Sequence, residues 1–230
     1  MPSRLRFIPK SSGGGGFPFF TTFPVDESIL DEGGKWLNGA RDGIDWNDIE
    51  IAGGNAIATD FGIPAPPYDD CIACINPAYL TFNPNQYAEG TVYRRSSPTL
   101  YNSDHEIELH TRLLITPNSA RGYEAYWNVA VPGVIDIYIV RWNGPLNGFD
   151  YLANNSIAGT GATGNVMRME TTGTNPVNIA VKVNGVTVVS FADGSPQRIL
   201  TGQPGIGQNP YGVGSNFTDW AFSDFRADNL

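Results

Sequence analysis

Three polar residues, Glu106, Glu108 and His110, alternate with apolar ones along the chain. If this segment is a β-strand, they share one face, with successive Cα atoms on that face roughly 6.5–7 Å apart. The two carboxyl groups could act as general acid and as nucleophile or base on a glycoside, and the imidazole could carry a proton. The alternative is a polar face directed to solvent, opposite an inner face with Ile107 and Leu113.

A different catalytic arrangement would suit a polysaccharide lyase, which needs a Tyr or His base and a cation that neutralises a uronate. Tyr123, Tyr126, His110 and Arg121 could be brought together in that way. Their spacing forms no lyase motif, so we expect ordinary aromatic residues of a β-sandwich here.

Cys71 and Cys74 form a single C-x-x-C pair. A structural zinc site needs four ligands, and the chain has no second pair and no histidine at a suitable spacing. Asp69 and Asp70 directly precede the pair and would raise the pKa of a thiol rather than activate it. We expect free structural thiols; a local disulfide and a metal or redox site are the alternatives.

Asp42, Asp45, Asp48 and Glu50 form an acidic cluster. Calcium prefers such oxygen ligands, but the spacing differs from that of the calcium-binding loop with alternating acids. The sequence therefore predicts no cofactor and no metal ligands, and leaves calcium as the one ion to consider.

The elements that would position these residues are short strands. Segments 177–183 and 186–191 flank Asn184-Gly185, a strong signal for a hairpin because a type I′ turn needs positive φ at both central residues. Segment 134–140 is too rich in β-branched residues for a helix. No segment keeps a helical apolar period over three turns, so the sequence predicts an all-β fold.

Length and charge narrow the function classes. The chain has 230 residues, of which 27 are Gly, 17 are Pro and only 16% are charged, which suits one sandwich. Its net charge of −9 disfavours nucleic acid and anionic membrane as partners. Neither a bilayer-spanning apolar run nor the apolar core of a signal peptide is present in the sequence.

The first 25 residues differ from the rest. They combine basic residues and no acid with a Gly-rich stretch at 13–16 and several phenylalanines. We therefore predict an extended arm over 1–25 and a sandwich over 26–230. The predicted partner-contacting residues of the arm are Arg4, Arg6, Phe17, Phe19 and Phe20.

Seven sequence blocks resemble, in order, those of concanavalin A-like (laminin-G-like) domains: 85–92, 122–127, 139–142, 164–170, 181–186, 202–207 and 219–220. The resemblance spans about residues 23–225 and implies a two-sheet antiparallel jelly-roll β-sandwich. That architecture includes lectins, glycan hydrolases and lyases, adhesion modules and virion proteins.

The resemblance also bears on hydrolysis. Laminarinase-type hydrolases of this fold carry Glu-x-Asp-x-x-Glu on one strand. Glu106 and Glu108 match the first two positions loosely, but the third is Thr111. The expected acid/base is missing, so hydrolysis by that route is not predicted.

The leading functional hypothesis is a non-enzymatic phage virion component, either a head-decoration (cement) protein or a tail-associated one. It would bind capsid or tail proteins, associate with itself through the arm, and also bind a cell-surface glycan. Tyr126 and Trp127 are the predicted glycan-contacting aromatics. The alternative is a polysaccharide-active enzyme or a lectin that uses the concave face around Glu106, Glu108 and His110, located at the bacterial surface or secreted.

Overall fold

The computed structural model describes residues 18–43, 46–60, 70–94, 105–131, 133–144, 148–159, 161–210 and 219–230. A short π-helical turn, Gly39–Gly43, interrupts a chain otherwise built of strands in these ranges. None of the helical segments described is long and apolar enough to cross a lipid bilayer. The strands are β1 (Phe19–Thr21), β2 (Trp36–Asn38), β3 (Ile49–Ala52), β4 (Asn55–Ala58), β5 (Cys71–Ile75), β6 (Gln86–Arg94), β7 (His105–Thr116), β8 (Ser119–Val131), β9 (Val134–Gly144), β10 (Phe149–Ala158), β11 (Val166–Thr172), β12 (Val177–Val183), β13 (Val186–Asp193), β14 (Gln203–Pro210) and β15 (Trp220–Asn229).

These strands form two antiparallel sheets. The eight-stranded sheet has the order β13-β12-β11-β6-β15-β4-β3, and β1 also pairs with β15. The seven-stranded sheet has the order β10-β9-β8-β7-β14-β5-β2. Neighbours that are distant in sequence, such as β6 and β15, lie side by side, as in a jelly roll. The predicted two-sheet antiparallel sandwich is confirmed.

The main core lies between the two sheets and follows the alternation of each strand. On β7, Ile107 and Leu109 point inward and are fully buried. On β8, Trp127 does the same, and its ring meets Trp220 of the opposite sheet edge-on, with centroids 6.4 Å apart. Burial of one such large side chain contributes roughly 1.5–3 kcal/mol, so this layer supplies most of the stability of the fold.

The predicted hairpin is present between β12 and β13. Asn184 and Gly185 occupy the turn with φ of 51° and 79°. Both values lie in the left-handed region that a type I′ turn requires, and glycine adopts that region without a steric penalty.

Part of the predicted arm belongs to the sandwich. Strand β1 pairs with β15, and Phe19 and Phe23 are buried in the main core. The assignment of Phe19 as a partner-contacting residue is therefore corrected, because its ring packs against Trp36 and Phe225. Phe20 points the other way and is exposed. Three further residues of the predicted arm lie outside the described residues: Arg4, Arg6 and Phe17.

A bulge interrupts β7 after Thr111 and reverses the alternation. The register with β8 shifts between Thr111 and Leu114, and Arg112 takes a φ of 52°. Leu113 consequently lies on the outer face of the sheet, in a second apolar cluster with Trp142, and not in the main core as predicted. One inserted residue is enough to change the face of every residue after it.

Candidate functional site

The outer face of the seven-stranded sheet, the side turned away from the main core, collects the polar residues singled out by sequence. Glu106, Glu108 and His110 alternate with the core residues Ile107 and Leu109, which confirms that the three share a face. They are not directed to solvent, however. Glu108 and His110 are completely buried, and Glu106 is half-buried.

A third titratable residue joins them from the neighbouring strand. His110 of β7 is the register partner of Glu124 of β8, so their side chains lie side by side. The Nε2 of His110 lies 3.2 Å from the Oε2 of Glu108. One ligand-type atom from each of Glu108, His110 and Glu124 lies within 4.8 Å of the other two. We call these three residues the buried triad.

A glycine on β14 makes room for the triad. Gly207 pairs with Glu108 in the sheet and faces the same side. A Cβ atom at Gly207 would overlap the Oε2 of Glu108 and lie 2.7 Å from the Nε2 of His110. Real Cβ atoms do not approach other atoms so closely, so the contact between Glu108 and His110 depends on the missing side chain.

Burial controls the protonation of the triad. It raises the pKa of Glu108 well above its usual range, and the nearby acids Glu124, Asp70 and Glu106 raise it further. Burial raises the pKa of Glu124 to about 7, against a smaller opposing effect of the hydrogen bond that the Trp142 indole N–H donates. Burial lowers the pKa of His110 to about 3. At neutral pH His110 is therefore an uncharged imidazole, and burial shifts Glu108 towards its protonated form.

A continuous run of aromatic rings crosses the same face. Trp46 meets Trp142 at a centroid distance of 4.6 Å, and Tyr126 stacks on Tyr138 at 4.8 Å. Tyr138 and Tyr151 are 5.9 Å apart. Both ends of the run are buried, at Trp46 and Trp142 and at Tyr126, whereas Tyr151 between them is 62% exposed. The aromatic run consists of Trp46, Trp142, Phe149, Tyr151, Tyr138 and Tyr126.

A cleft opens at the exposed middle of this run. It has a volume of about 210 Å³, and its lining residues are Tyr138, Tyr151, Leu152, Ala153 and Asn154. The pairing of β9 with β10 is irregular between Tyr151 and Ala153, which bends the outer strand at this point. Two aromatic rings and one amide thus line a shallow depression open to solvent.

Several predicted site residues lie elsewhere. Trp127 belongs to the main core and cannot stack on a ligand, whereas its neighbour Tyr126 does lie on the outer face. The four residues considered for a lyase do not share one face of the sheet, because Tyr123 points inward and donates a hydrogen bond to Asp193 over 2.8 Å. Thr111 also points inward, where its hydroxyl meets that of Thr171.

The sequence reasoning overlooked Glu124, Tyr138 and Tyr151. The available signal was the period of two on β8, which places Glu124 on the same face as Tyr126. No comparable signal identifies Tyr151, because its position depends on the pairing of β10 with β9.

The cysteines are buried free thiols, as predicted. Cys71 faces the main core and Cys74 the outer face, so the two point to opposite sides of β5. Burial raises the pKa of each to about 12, which leaves no reactive thiolate at neutral pH.

Two members of the acidic cluster accept backbone hydrogen bonds. Asp48 accepts from the N–H groups of Ala40 and Arg41, and Asp42 accepts from that of Asn38. These carboxylates hold the π-helical turn in place. Asp45 lies outside the described residues, and calcium at this cluster stays the alternative to the prediction of no metal.

Sequence comparison identifies no relative: no known family profile and no curated protein matches the chain. Solved structures do match over most of it. A β-glucanase of Bacillus licheniformis has a TM-score of 0.54 at 13% identity, covering 94% of this chain and 100% of the enzyme. The carbohydrate-binding module CBM66 of Bacillus subtilis has a TM-score of 0.52 at 10% identity, covering 87% and 96%. A legume lectin-like domain of Entamoeba histolytica has a TM-score of 0.51 at 11% identity, covering 85% and 90%. At these identities the likeness shows the fold, which is the concanavalin A-like jelly roll.

Proposed function

We propose that this protein is a glycan-binding domain whose binding surface is the outer face of the seven-stranded sheet. The observation that carries the proposal is the aromatic run, two of whose rings, Tyr138 and Tyr151, line the solvent-open cleft. An isolated exposed tyrosine would need no explanation, but a connected row of six rings on one sheet face does.

The chemistry of the cleft suits a sugar ring. The C–H groups on one side of a pyranose are weakly positive, and the face of a tyrosine ring is negative. Tyr151 offers such a face to solvent, and Asn154 beside it supplies both a donor and an acceptor for hydroxyl groups. Ligand sites of this kind combine apolar walls with a few polar groups that fix orientation.

The structural neighbours support the same class of ligand. They are described as a carbohydrate-binding module, a lectin-like domain and several glucanases, among them an endo-1,3-β-glucanase from Streptomyces sioyaensis with a TM-score of 0.51. β-1,3-Glucan is therefore the first ligand to test, followed by mixed-linkage β-glucan and α-linked polymers.

Affinity electrophoresis on gels containing each polysaccharide tests the proposal. We expect retardation of the wild type by at least one polymer, and loss of that retardation in Tyr151→Ala. Tyr79→Ala is the matched control, because Tyr79 is also about half exposed, at 53%, but follows β5 far from the cleft. Equal loss of retardation in both variants, or no retardation of the wild type, would contradict a site at the cleft.

Glycan hydrolysis is a second candidate, favoured by one observation. Burial raises the pKa of Glu124 to about 7, which suits a general acid at neutral pH, and a second carboxyl group, Glu108, lies nearby. Release of reducing ends from the same polysaccharides, lost in Glu124→Gln, would favour it. If the protein releases no reducing ends from the polysaccharides that it binds, glycan binding without hydrolysis remains the proposed function.

The virion role stays a prediction. It depends on the arm predicted over residues 1–25, of which 1–17 lie outside the described residues. The predicted self-association depends on the same arm. Removal of residues 1–17 spares strand β1 and so tests the role of the arm with the sandwich intact. Normal incorporation of that variant into particles would contradict the proposed role of the arm. The same experiment also tests whether the protein is located in a virion or at a cell surface.

A further inference from the structure

We propose that Glu108, His110 and Glu124 form a binding site for one divalent transition-metal ion, beside the buried Trp142 of the aromatic run. The site is distinct from the cleft at Tyr151. It does not depend on glycan binding.

The three donors converge. One ligand-type atom from each lies within 4.8 Å of the other two, and the residues sit on adjacent strands at fixed register. A separation of up to 4.8 Å is slightly larger than the roughly 4.0–4.4 Å diameter of a coordination sphere with metal–ligand distances of about 2.0–2.2 Å. Small side-chain rotations, without movement of the backbone, would complete it.

The triad also contains polar atoms whose hydrogen-bonding capacity is unused. The Oε1 of Glu108 and the Nδ1 of His110 are buried, and neither has a hydrogen-bond partner among the described residues. Buried polar atoms without a partner are costly, and an unplaced ion is one of their ordinary explanations.

The electrostatic environment favours a cation. The charged groups that act on Glu108 are the acids Glu124, Asp70 and Glu106. A divalent ion between these acids would offset the repulsion between their carboxylates.

The structure already contains the space for an ion and a hydrogen bond that orients one of the proposed ligands. Gly207 leaves out the Cβ atom that would fill the region beside Glu108 and His110. The Trp142 indole donates to the Oε2 of Glu124, which fixes that carboxylate while its other oxygen remains for a metal. Partners of this kind commonly orient metal ligands.

The donor set indicates the class of ion. One imidazole nitrogen and two carboxylates suit zinc, cobalt or manganese, whereas calcium takes six to eight oxygen ligands and does not favour imidazole. Three protein ligands leave at least one position for water. Zinc is the first ion to test.

The test uses the full chain after removal of bound metal with a chelator. Cobalt(II) should bind at one equivalent per chain and give the visible absorption of a low-symmetry site. Zinc(II) should displace it and raise the unfolding temperature by roughly 5–10 °C at a hundredfold excess over its dissociation constant. Tyr151→Ala should bind both metals as the wild type does.

Substitutions locate the site. Glu108→Gln and Glu124→Gln should each lose cobalt binding and the shift with zinc, whereas Glu50→Gln, a half-buried carboxyl group on β3, should keep both. If a triad variant fails to fold, the wild-type spectrum decides alone. Thiolate-to-cobalt absorption would assign the metal to Cys71 or Cys74 and overturn the proposal. So would the absence of any cobalt spectrum and of any thermal shift in the wild type.

Discussion

The carboxylate of Glu108 lies 3.2 Å from the imidazole of His110, and neither side chain has exposed surface. The two residues stand two positions apart on β7, and Gly207 opposite them leaves the space that they occupy. A pair of titratable groups buried so completely is expensive for a fold to maintain, which is why we assign it a role.

Gly207→Ala should disrupt this arrangement. The added methyl group would overlap Glu108, and overpacking of this kind costs roughly 1–3 kcal/mol in free energy of unfolding. Gly194→Ala is the control, because a Cβ atom there meets nothing within 4 Å. Urea denaturation of both variants measures the difference. Equal stability of the two would contradict the close packing described around the triad.

Glu124→Gln should change how stability depends on pH in metal-free protein. Because the folded pKa of Glu124 is raised from 4.5 to about 7, its carboxyl group destabilises the wild type progressively as the pH rises between these values. Glu124→Gln has no carboxyl group to titrate at this position. Its free energy of unfolding relative to wild type should therefore increase by roughly 1–3 kcal/mol between pH 4.5 and about 7 and level off above that pH.

Two histidines make stability depend on pH in the opposite direction. Both the wild type and Glu124→Gln contain them, so their contributions cancel in the difference between the two proteins. Burial lowers the pKa of His105 and of His110 to about 3, so both proteins lose stability as the pH falls below 6.5. Denaturation of wild type and variant at a series of pH values gives the difference. A difference that does not change between pH 4.5 and 7 would show that Glu124 is not held in its neutral form.

Arg112→Met should destabilise the whole sandwich. The buried guanidinium of Arg112 donates to the carbonyl oxygens of Pro84, Gly173 and Ile199, over 2.7–2.8 Å. Loss of three such hydrogen bonds, with the acceptor of Ile199 left buried and those of Pro84 and Gly173 partly buried, should cost roughly 3 kcal/mol. Arg198→Met, which removes bonds to exposed loop carbonyls, should cost much less in the same denaturation experiment. Similar costs for both would contradict a central role for Arg112.

The sequence predicted the features that depend on local pattern. Alternation placed Glu106, Glu108 and His110 on one face, and Asn184-Gly185 marked the hairpin, because both follow from the geometry of neighbouring residues. The bulge at Arg112 broke the alternation, so Leu113 was placed on the wrong face. Such a bulge is set by contacts with distant carbonyls, which no local pattern reveals.

The candidate site could be predicted only in part for the same reason. Glu124 joins the triad through the register of β7 with β8, and Gly207 through the pairing of β7 with β14. The indole that donates to Glu124 comes from Trp142 on β9, a strand that pairs with β8. Long-range pairings of this kind decide whether a polar strand face meets solvent or is covered.

The most direct test of the central claim is chemical-shift mapping by NMR with an oligosaccharide of a polymer that the protein binds. We predict that perturbed residues cluster on the outer face of the seven-stranded sheet, around Tyr138, Tyr151 and Asn154. Perturbations confined to the outer face of the eight-stranded sheet, for example around Tyr87 and Arg168, would contradict the assignment of the glycan site.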